Sequence, residues 1–259
     1  TEASPIIEIF NKISSGALKK DEKVRKVSMN ILKNLASDEN INILIHEIDI
    51  NQKKKNSEAC QILFGFGDII MEKMLDGVMN ANESKERIRI IHIIQELGEK
   101  AIPAIKESIT INAPWYYLRN MAYILGRIGN ESSADLLRPL LLHKDKRVRT
   151  EAFKSIGQTG GKKRGSLLLS VLPQVDQDLK LDIIAMLGKI KYTESVPQLL
   201  DLLSKKSSTM SKEEQIAMQE KICSALGAIG SSEAAPALKE IAESKSFLGM
   251  GGYPEEVKA

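Results

Sequence analysis

One phrase recurs along this chain, and its recurrence limits the possible fold more than any other feature. The segments YILGRIGNESSADLLRPL, AMLGKIKYTESVPQLLDL and SALGAIGSSEAAPALKEI occupy 123–140, 185–202 and 224–241. The glycines that close the apolar runs, including one further copy, are Gly126, Gly157, Gly188 and Gly227. Their intervals are 31, 31 and 39 residues (157−126, 188−157 and 227−188). A helical unit of this length cannot bury its apolar face alone, so a chain repeats it until neighbouring units cover one another.

Each copy predicts two helices joined by a short polar turn. The first helix has apolar residues at three- and four-residue spacing, which in one copy are Leu118, Met121, Ala122 and Leu125. We expect a glycine to end this helix in the left-handed conformation. A second glycine follows three residues after the first in three copies, as Gly129, Gly160 and Gly230, and Lys191 takes its place in the remaining one. No stretch alternates with a period of two, so the sequence predicts no strand.

An apolar residue followed by a base begins most of the first helices. The pairs include Ile88-Arg89, Leu118-Arg119, Val148-Arg149 and Leu179-Lys180. An acidic residue stands four positions before the base in two copies, as Asp145 and Asp176. We expect the acid to cap its helix and the base to reach that acid or the acid of a neighbouring repeat. These charges would then form a structural ladder along the stack.

The repeated pattern of an apolar residue and Arg, followed by Ala-x-x-x-Leu-Gly-x-Ile-Gly, resembles the bacterial HEAT-like repeat. This is the short form found in phycobilin lyases and many bacterial scaffolds. The match is strong over 115–242, fair over 85–114 and weak over 5–80. The resemblance implies an all-α fold, a right-handed α-solenoid of about seven antiparallel helix pairs. We expect one domain over 1–259, with clear repeats over 85–242, degenerate repeats over 5–80 and a truncated repeat over 243–259.

Composition and charge exclude several classes of protein. The net charge of +3 is too weakly basic to indicate a nucleic-acid binder by itself. The two cysteines, Cys60 and Cys223, lie far apart without a metal-ligand spacing, and we expect both to be reduced and buried. No apolar run approaches about 18 residues and no signal peptide is visible, so we expect a cytoplasmic protein. The chain begins without Met and ends in YPEEVKA, where a new helix seems to start, so we expect a piece of a longer, multidomain protein.

The histidines do not form a catalytic or metal-binding motif. His46, His92 and His143 are isolated in the sequence, and no H-E-x-x-H occurs. One HEAT-like family, similar to deoxyhypusine hydroxylase, binds two irons through several His-Glu pairs, whereas this chain has the single pair His46-Glu47. We therefore interpret the histidines as structural residues, and we expect no metal, no cofactor and no enzymatic activity.

The segment GQTGGKKRG at 157–165 permits two interpretations. It does not match the phosphate-binding loop G-x-x-x-x-G-K-[ST]. It can be a turn between helices with solvated lysines. It can also be a rim that holds an anion at the start of a helix. The basic residues of this rim are Lys162, Lys163 and Arg164, with Lys144, Lys146 and Arg147 nearby.

The segment APWYYLRN at 113–120 is the densest aromatic feature and contains the single tryptophan of the chain. Trp115 and one tyrosine can pack against the preceding repeat. They can instead form an exposed aromatic hot spot for a peptide. A third interpretation is a platform for stacking nucleic-acid bases, as in HEAT-like DNA glycosylases. The chain has no other aromatic cluster, which speaks against this third interpretation.

We predict a non-enzymatic interaction scaffold that binds a protein or peptide on its concave face, as a monomer without nucleic-acid or membrane partners. A first alternative is a nucleic-acid-binding solenoid that uses the basic rim at 144–164. A second is a phycobilin-lyase-like chaperone of chromophore attachment. The candidate partner-binding residues on second helices are Lys106, Arg138, Ser170, Gln198, Asp201 and Lys239. The other candidates are Trp115, Tyr117, Lys163 and Arg164.

The interval of 39 residues, between Gly188 and Gly227, contains eight residues more than its neighbours (39−31). We expect the surplus to form a mobile loop at 204–210. Ser211 is followed three residues later by Glu214, the spacing of a capping box, so the next helix should begin at about Lys212.

Overall fold

A computed structural model describes residues 5–6, 8–10, 22–48, 57–66, 68–110, 112–159, 163–205, 210–243 and 257. All regular structure in these ranges is helical, which confirms the all-α repeat fold. The helices are α1 (Glu22–Leu35), α2 (Asp38–Glu47), α3 (Ser57–Gly65), α4 (Asp68–Asn80), α5 (Ser84–Leu97), α6 (Ile102–Ser108), α7 (Trp115–Ile128), α8 (Glu131–Leu141), α9 (Lys146–Gln158), α10 (Lys163–Val171), α11 (Gln177–Lys189), α12 (Val196–Ser204), α13 (Lys212–Ile229) and α14 (Ala235–Glu243). Short 3₁₀ turns precede α6 (Gly98–Ala101) and α12 (Thr193–Ser195).

The chain divides into two compact units, Thr1–Ile128 and Gly129–Ala259. The first unit contains α1 to α7 and the second contains α8 to α14. The single domain predicted over 1–259 and the right-handed superhelix stay predictions.

In the second unit, helices of successive copies contact one another. Helix α9 contacts α8 and α11, and α11 contacts α13. The residues that fill these contacts recur at equivalent places, and they are fully buried: Val148, Ala152 and Ile156 on α9, and Ile183, Ile184 and Leu187 on α11. This neighbour-to-neighbour burial is the arrangement that the repeated phrase predicts.

The first unit is built in the same way, with one difference in register. Helix α4 contacts α5, α6 and α7, and α5 also contacts α7. Ile88 of the predicted pair Ile88-Arg89 is 50% exposed, whereas Leu118, its predicted counterpart on α7, is buried. The predicted register of this copy is therefore wrong. Ile90 is buried instead, because the apolar stripe of α5 begins two residues later.

The glycines of the repeat have two different roles. The second glycines, Gly129 and Gly230, have φ values of 73° and 70°, and Lys191 replaces them with a φ of 52°. These left-handed residues follow the first helices, so this part of the prediction is confirmed. The first glycines, such as Gly188 and Gly227, lie inside α11 and α13, and the expectation that they end the helix is wrong. Gly160 lies outside the described residues.

The predicted charge ladder is present in the second unit. The Asp145 carboxylate accepts from the backbone N–H of Arg147 at 2.9 Å, and the Asp176 carboxylate accepts from that of Leu179 at 3.0 Å, so each caps its helix. Arg149 Nη2 lies 2.6 Å from Asp176 Oδ2, which joins α9 to the cap of α11. Arg149 Nη1 also donates to the backbone oxygens of His143 at 2.8 Å and Lys144 at 2.9 Å. One arginine thus ties the start of its own helix to the next repeat.

We expect Arg149→Met to lower the free energy of unfolding by about 1–3 kcal/mol, because it removes charge-assisted hydrogen bonds from a side chain that is only 18% exposed. Urea denaturation followed by circular dichroism measures this change. Lys146→Met is the matched control, since Lys146 binds Asp178 at 2.7 Å on the open surface and should contribute almost nothing. Equal losses in the two variants would contradict the ladder.

The capping box at the start of α13 is confirmed. Ser211 N donates to Glu214 Oε2 at 2.8 Å, and Glu214 N donates to Ser211 Oγ at 3.1 Å. The helix begins at Lys212, as the spacing predicts. Most of the predicted loop, at 206–209, lies outside the described residues, as does the truncated repeat except for residues 243 and 257.

Both cysteines are free thiols. Cys60 is buried, as predicted, and burial together with the charge of Glu96 raises its pKa to about 11. Cys223 is only half-buried, and burial raises its pKa as well. Within the described ranges, no helix combines the length and the apolar character that crossing a bilayer requires.

Candidate functional site

An open groove of about 970 Å³ lies along α5 and α7 in the first unit. This volume is near the upper end of the range of roughly 300–1,000 Å³ that is typical of ligand pockets. The groove, called here the α5–α7 groove, is lined by Met79, Ser84, Arg87, Ile88, Ile91, His92, Gln95, Trp115, Tyr116, Arg119, Asn120, Tyr123 and Arg127.

Helical periodicity puts these side chains on one face of each helix. On α7, Trp115, Arg119, Tyr123 and Arg127 recur at every fourth residue and form one row. The opposite stripe of α7 is buried in the unit and includes Tyr117, Leu118, Met121, Ile124 and Leu125. An alternating row of aromatic and arginine side chains therefore forms one wall of the groove.

The aromatic side chains of the groove are held in place by the fold. The rings of Trp115 and Tyr116 meet edge to face, with centroids 6.1 Å apart. The Tyr116 hydroxyl donates to the backbone oxygen of Met79 at 3.3 Å, which fixes the start of α7 against the end of α4. Trp115 is half-buried, and Tyr123 is 37% exposed. The groove thus presents aromatic surface to solvent on a rigid support.

The lining is positively charged. It contains three arginines and one histidine, and none of the described residues that line it is acidic. Arg127 is exposed in the last turn of α7. Arg87 donates to the backbone oxygen of Ala81, and His92 Nε2 lies 3.8 Å from Glu96 Oε1. An acidic ligand would meet attraction along this surface.

Two buried donors of the lining have no acceptor among the described residues. They are Nε of Arg87 and Nε2 of Gln95. Buried donors are normally paired, because an unpaired donor loses its hydrogen bond to water without replacement. The groove therefore favours a ligand that brings acceptor oxygens.

Tyr117, one of the predicted partner-binding residues, is only 1% exposed. Burial raises its pKa, while a hydrogen bond with Ser108 acts in the opposite direction. Tyr117 is thus a core residue, and its predicted place on a binding surface is wrong. Neighbouring residues on a helix point about 100° apart, so Tyr116 rather than Tyr117 reaches the groove.

The predicted second-helix residues do not line this groove. Lys106 is exposed on α6 in the first unit. In the second unit, Arg138 is exposed on α8, Gln198 is half-buried on α12, and Ser170 on α10 donates to the backbone oxygen of Leu167 at 2.7 Å. Asp201 pairs with Lys205 at 2.5 Å, and Lys239 lies 3.8 Å from Glu243. The described part of the chain shows no shared cavity that joins these side chains.

The basic rim is occupied by structural contacts. Lys163 pairs with Asp135 at 3.1 Å, and Arg164 donates to the backbone oxygen of Gly157 at 3.2 Å. Arg147 pairs with Asp145 at 2.7 Å and lowers the pKa of that carboxyl to about 2 through their hydrogen bond. Lys162 lies outside the described residues. These pairings favour the interpretation of the segment as a turn between helices.

The histidines have partners within the fold. His46 Nδ1 lies 3.0 Å from Arg89 Nη1, and His143 Nδ1 accepts from the backbone N–H of Asp145 at 3.0 Å. Within the described ranges, no group of three or more His, Cys, Asp or Glu side chains could hold a metal ion.

Comparison with protein families gives a match to HEAT repeats at residues 102–180 and 165–247. Together these segments span 102–247, which is 146 of the 259 residues (247−102+1). The chain belongs to the HEAT-repeat family. In this HEAT-repeat chain, α7 lies within the matched segments, whereas α5 precedes them. One wall of the α5–α7 groove thus comes from a regular repeat and the other from a divergent one.

Two solved structures resemble the HEAT-repeat chain at low identity. Human deoxyhypusine hydroxylase in complex with glycerol is 16% identical, with 92% of this chain and 91% of that chain covered and a TM-score of 0.35. The complex of CpcE and CpcF of phycocyanin lyase from Nostoc sp. PCC7120 is also 16% identical, with 83% and 90% covered and a TM-score of 0.28. A comparison with curated protein sequences gave no match.

Trp115 allows the charge of the groove to be measured without a ligand. We expect iodide to quench its fluorescence more strongly, and caesium more weakly, than they quench N-acetyltryptophanamide. The reason is that nearby arginines raise the local concentration of anions. The difference should shrink as salt screens the charges, and Arg127→Glu should reduce it. Quenching by caesium that equals quenching by iodide would contradict a positive groove.

Proposed function

We propose that this HEAT-repeat chain is a non-enzymatic interaction module, and that its α5–α7 groove binds a segment of a partner protein. The observation that carries the proposal is the exposure of Ile88 and Tyr123 beside the arginines of one groove. Contiguous exposed apolar surface next to such a groove is typical of interaction sites.

The residue types support a protein partner. Trp, Tyr and Arg are enriched at the centres of protein interfaces, because each combines a large apolar contact area with directional polar groups. All three occur in the row from Trp115 to Arg127. The second unit offers a contrast, since its groove of about 200 Å³ is lined by Lys146, Arg149, Asp176 and Asp178, whose charges are already paired.

The binding surface proposed here differs from the second-helix surface predicted from the sequence. The second-helix candidates lie on α6, α8, α10, α12 and α14, whereas the α5–α7 groove lies on first helices. The two surfaces make different predictions about which substitutions abolish binding, so one experiment can separate them.

The test is the selection of binders from a random peptide library on the protein, with variants as a counter-screen. We expect peptides that bind the native chain and lose binding to Ile88→Ser. Leu142→Ser is the matched control, because Leu142 is a comparably exposed aliphatic residue, 39% exposed, at the end of α8. Circular dichroism verifies that both variants fold. Peptides that bind both variants equally, or that depend on Arg138 or Lys239, would reject the groove.

A further inference from the structure

We propose that the occupant of the α5–α7 groove is an extended, acidic protein segment in which an apolar residue and an acidic residue lie two positions apart. This inference rests on the proposed function and adds the chemistry and the conformation of the partner. It is carried by the charge of the lining, by the spacing of Tyr123 and Arg127, and by the unpaired donors.

Charge determines the sign of the partner. The lining includes Arg87, Arg119, Arg127 and His92, and no acidic residue belongs to it among those described. Guanidinium groups bind carboxylates through paired, charge-assisted hydrogen bonds. A basic segment would be repelled by the same row. An acidic segment is therefore the complement of this groove.

Spacing determines the pattern within the segment. Tyr123 and Arg127 are four residues apart on α7, which corresponds to about 6 Å along the helix axis. An extended chain advances about 3.3 Å per residue, and its alternate side chains point to the same side. An apolar side chain over Tyr123 and Ile88 is therefore followed two positions later by an acidic side chain opposite Arg127.

The unpaired donors favour an extended segment over a helix. Arg87 Nε and Gln95 Nε2 need acceptor oxygens. The backbone carbonyls of a helix are mostly satisfied inside the helix, whereas those of an extended segment are available. A helical partner would instead place its apolar and acidic residues four positions apart, so the selected peptides distinguish the two conformations.

A protein segment also fits better than a nucleic acid. The floor of the groove contains the aliphatic residues Ile88 and Ile91, which a stacking platform does not require. A nucleic acid also needs a track of free basic side chains along its phosphates. In the second unit, Lys146, Arg149 and Lys163 already pair with aspartates, which leaves no such track through them.

The test continues from the selected peptides. We expect their alignment to show Asp or Glu two positions from Leu, Ile, Phe, Tyr or Trp. A fluorescently labelled peptide of this consensus should bind Arg127→Glu about tenfold more weakly than the native chain, which is the effect of losing one charge-assisted contact. A peptide with Lys in place of the acidic residue should regain affinity for Arg127→Glu.

Two control variants make the result specific. Lys189→Glu removes an exposed base from the last turn of α11 and should leave peptide binding unchanged. Arg138→Glu tests the second-helix surface, and loss of binding there, with binding kept by Arg127→Glu, would overturn the inference. Circular dichroism and the denaturation midpoint verify that each variant is folded.

The outcomes separate this inference from the proposed function. Peptides that depend on Ile88 but carry neutral or basic residues opposite Arg127 would overturn only the inference. The absence of any groove-dependent peptide would overturn both. Oligothymidylate or duplex DNA that binds in the nanomolar range at physiological salt, and that Arg127→Glu releases, would replace the protein segment by a nucleic acid.

Discussion

Replacement of Leu187 by alanine is expected to lower the free energy of unfolding by about 2–5 kcal/mol. Leu187 is fully buried on α11, a helix that contacts both α10 and α13. Truncation removes apolar contacts and leaves a cavity that closely packed helices fill only in part. Urea denaturation should show a lower midpoint with an unchanged slope.

Leu142→Ala is the matched control, since it removes the same atoms from a side chain that already meets solvent at the end of α8. We expect a loss of well under 1 kcal/mol in that variant. A Leu187→Ala protein as stable as the native chain would mean that the repeat register at α11 is wrong.

Gly188→Ala and Gly227→Ala are expected to change stability in opposite directions, although the two glycines occupy the same place in successive repeats. A Cβ added at Gly188 would lie 2.7 Å from Ala225 Cα and 3.0 Å from Ala225 Cβ. Helices α11 and α13 would have to separate, and such overpacking costs about 1–3 kcal/mol. A Cβ added at Gly227 would meet nothing within 4 Å.

Gly227 lies inside α13 without a positive φ, so alanine should stabilise the helix there by up to about 1 kcal/mol. The two variants control for each other, because they make the same chemical change at equivalent positions. Thermal and urea denaturation of both proteins measure the effects. A change of the same sign in both variants would contradict the close approach of α11 and α13 at Gly188.

The groove is formed where the repeat is least regular. Helix α5 lies in a copy that departs from the repeated pattern, and its register difference exposes Ile88. In the regular copies of the second unit, the corresponding apolar residues are buried and the charges are paired between repeats. Regular copies thus satisfy their surfaces against neighbours, whereas the divergent copy leaves apolar and basic groups available to a partner.

Part of the candidate site was present in the sequence but was not interpreted correctly. The row of Trp115, Arg119, Tyr123 and Arg127 has the four-residue spacing of one helix face. The pair Tyr116 and Tyr117 could be assigned on the same basis, because Tyr117 shares its stripe with the apolar residues Met121 and Ile124. Attention to second helices hid this signal.

The sequence by itself determined the helical repeat, its caps and its charge ladder. The capping box at Ser211, the left-handed Lys191 and the reach of Arg149 to Asp176 all follow from residue types at fixed local or repeat spacing. Such features depend on neighbours that the periodicity already names.

Only the tertiary structure decided the α5–α7 groove and the different roles of Gly188 and Gly227. Both depend on how closely two helix surfaces approach, and that distance is set by side chains in contact across different repeats. A period of 31 residues specifies which helices are neighbours. It does not specify where their surfaces touch and where they leave space, because a shift of two residues in one apolar stripe, as at Ile88 and Ile90, turns a buried position into an exposed one.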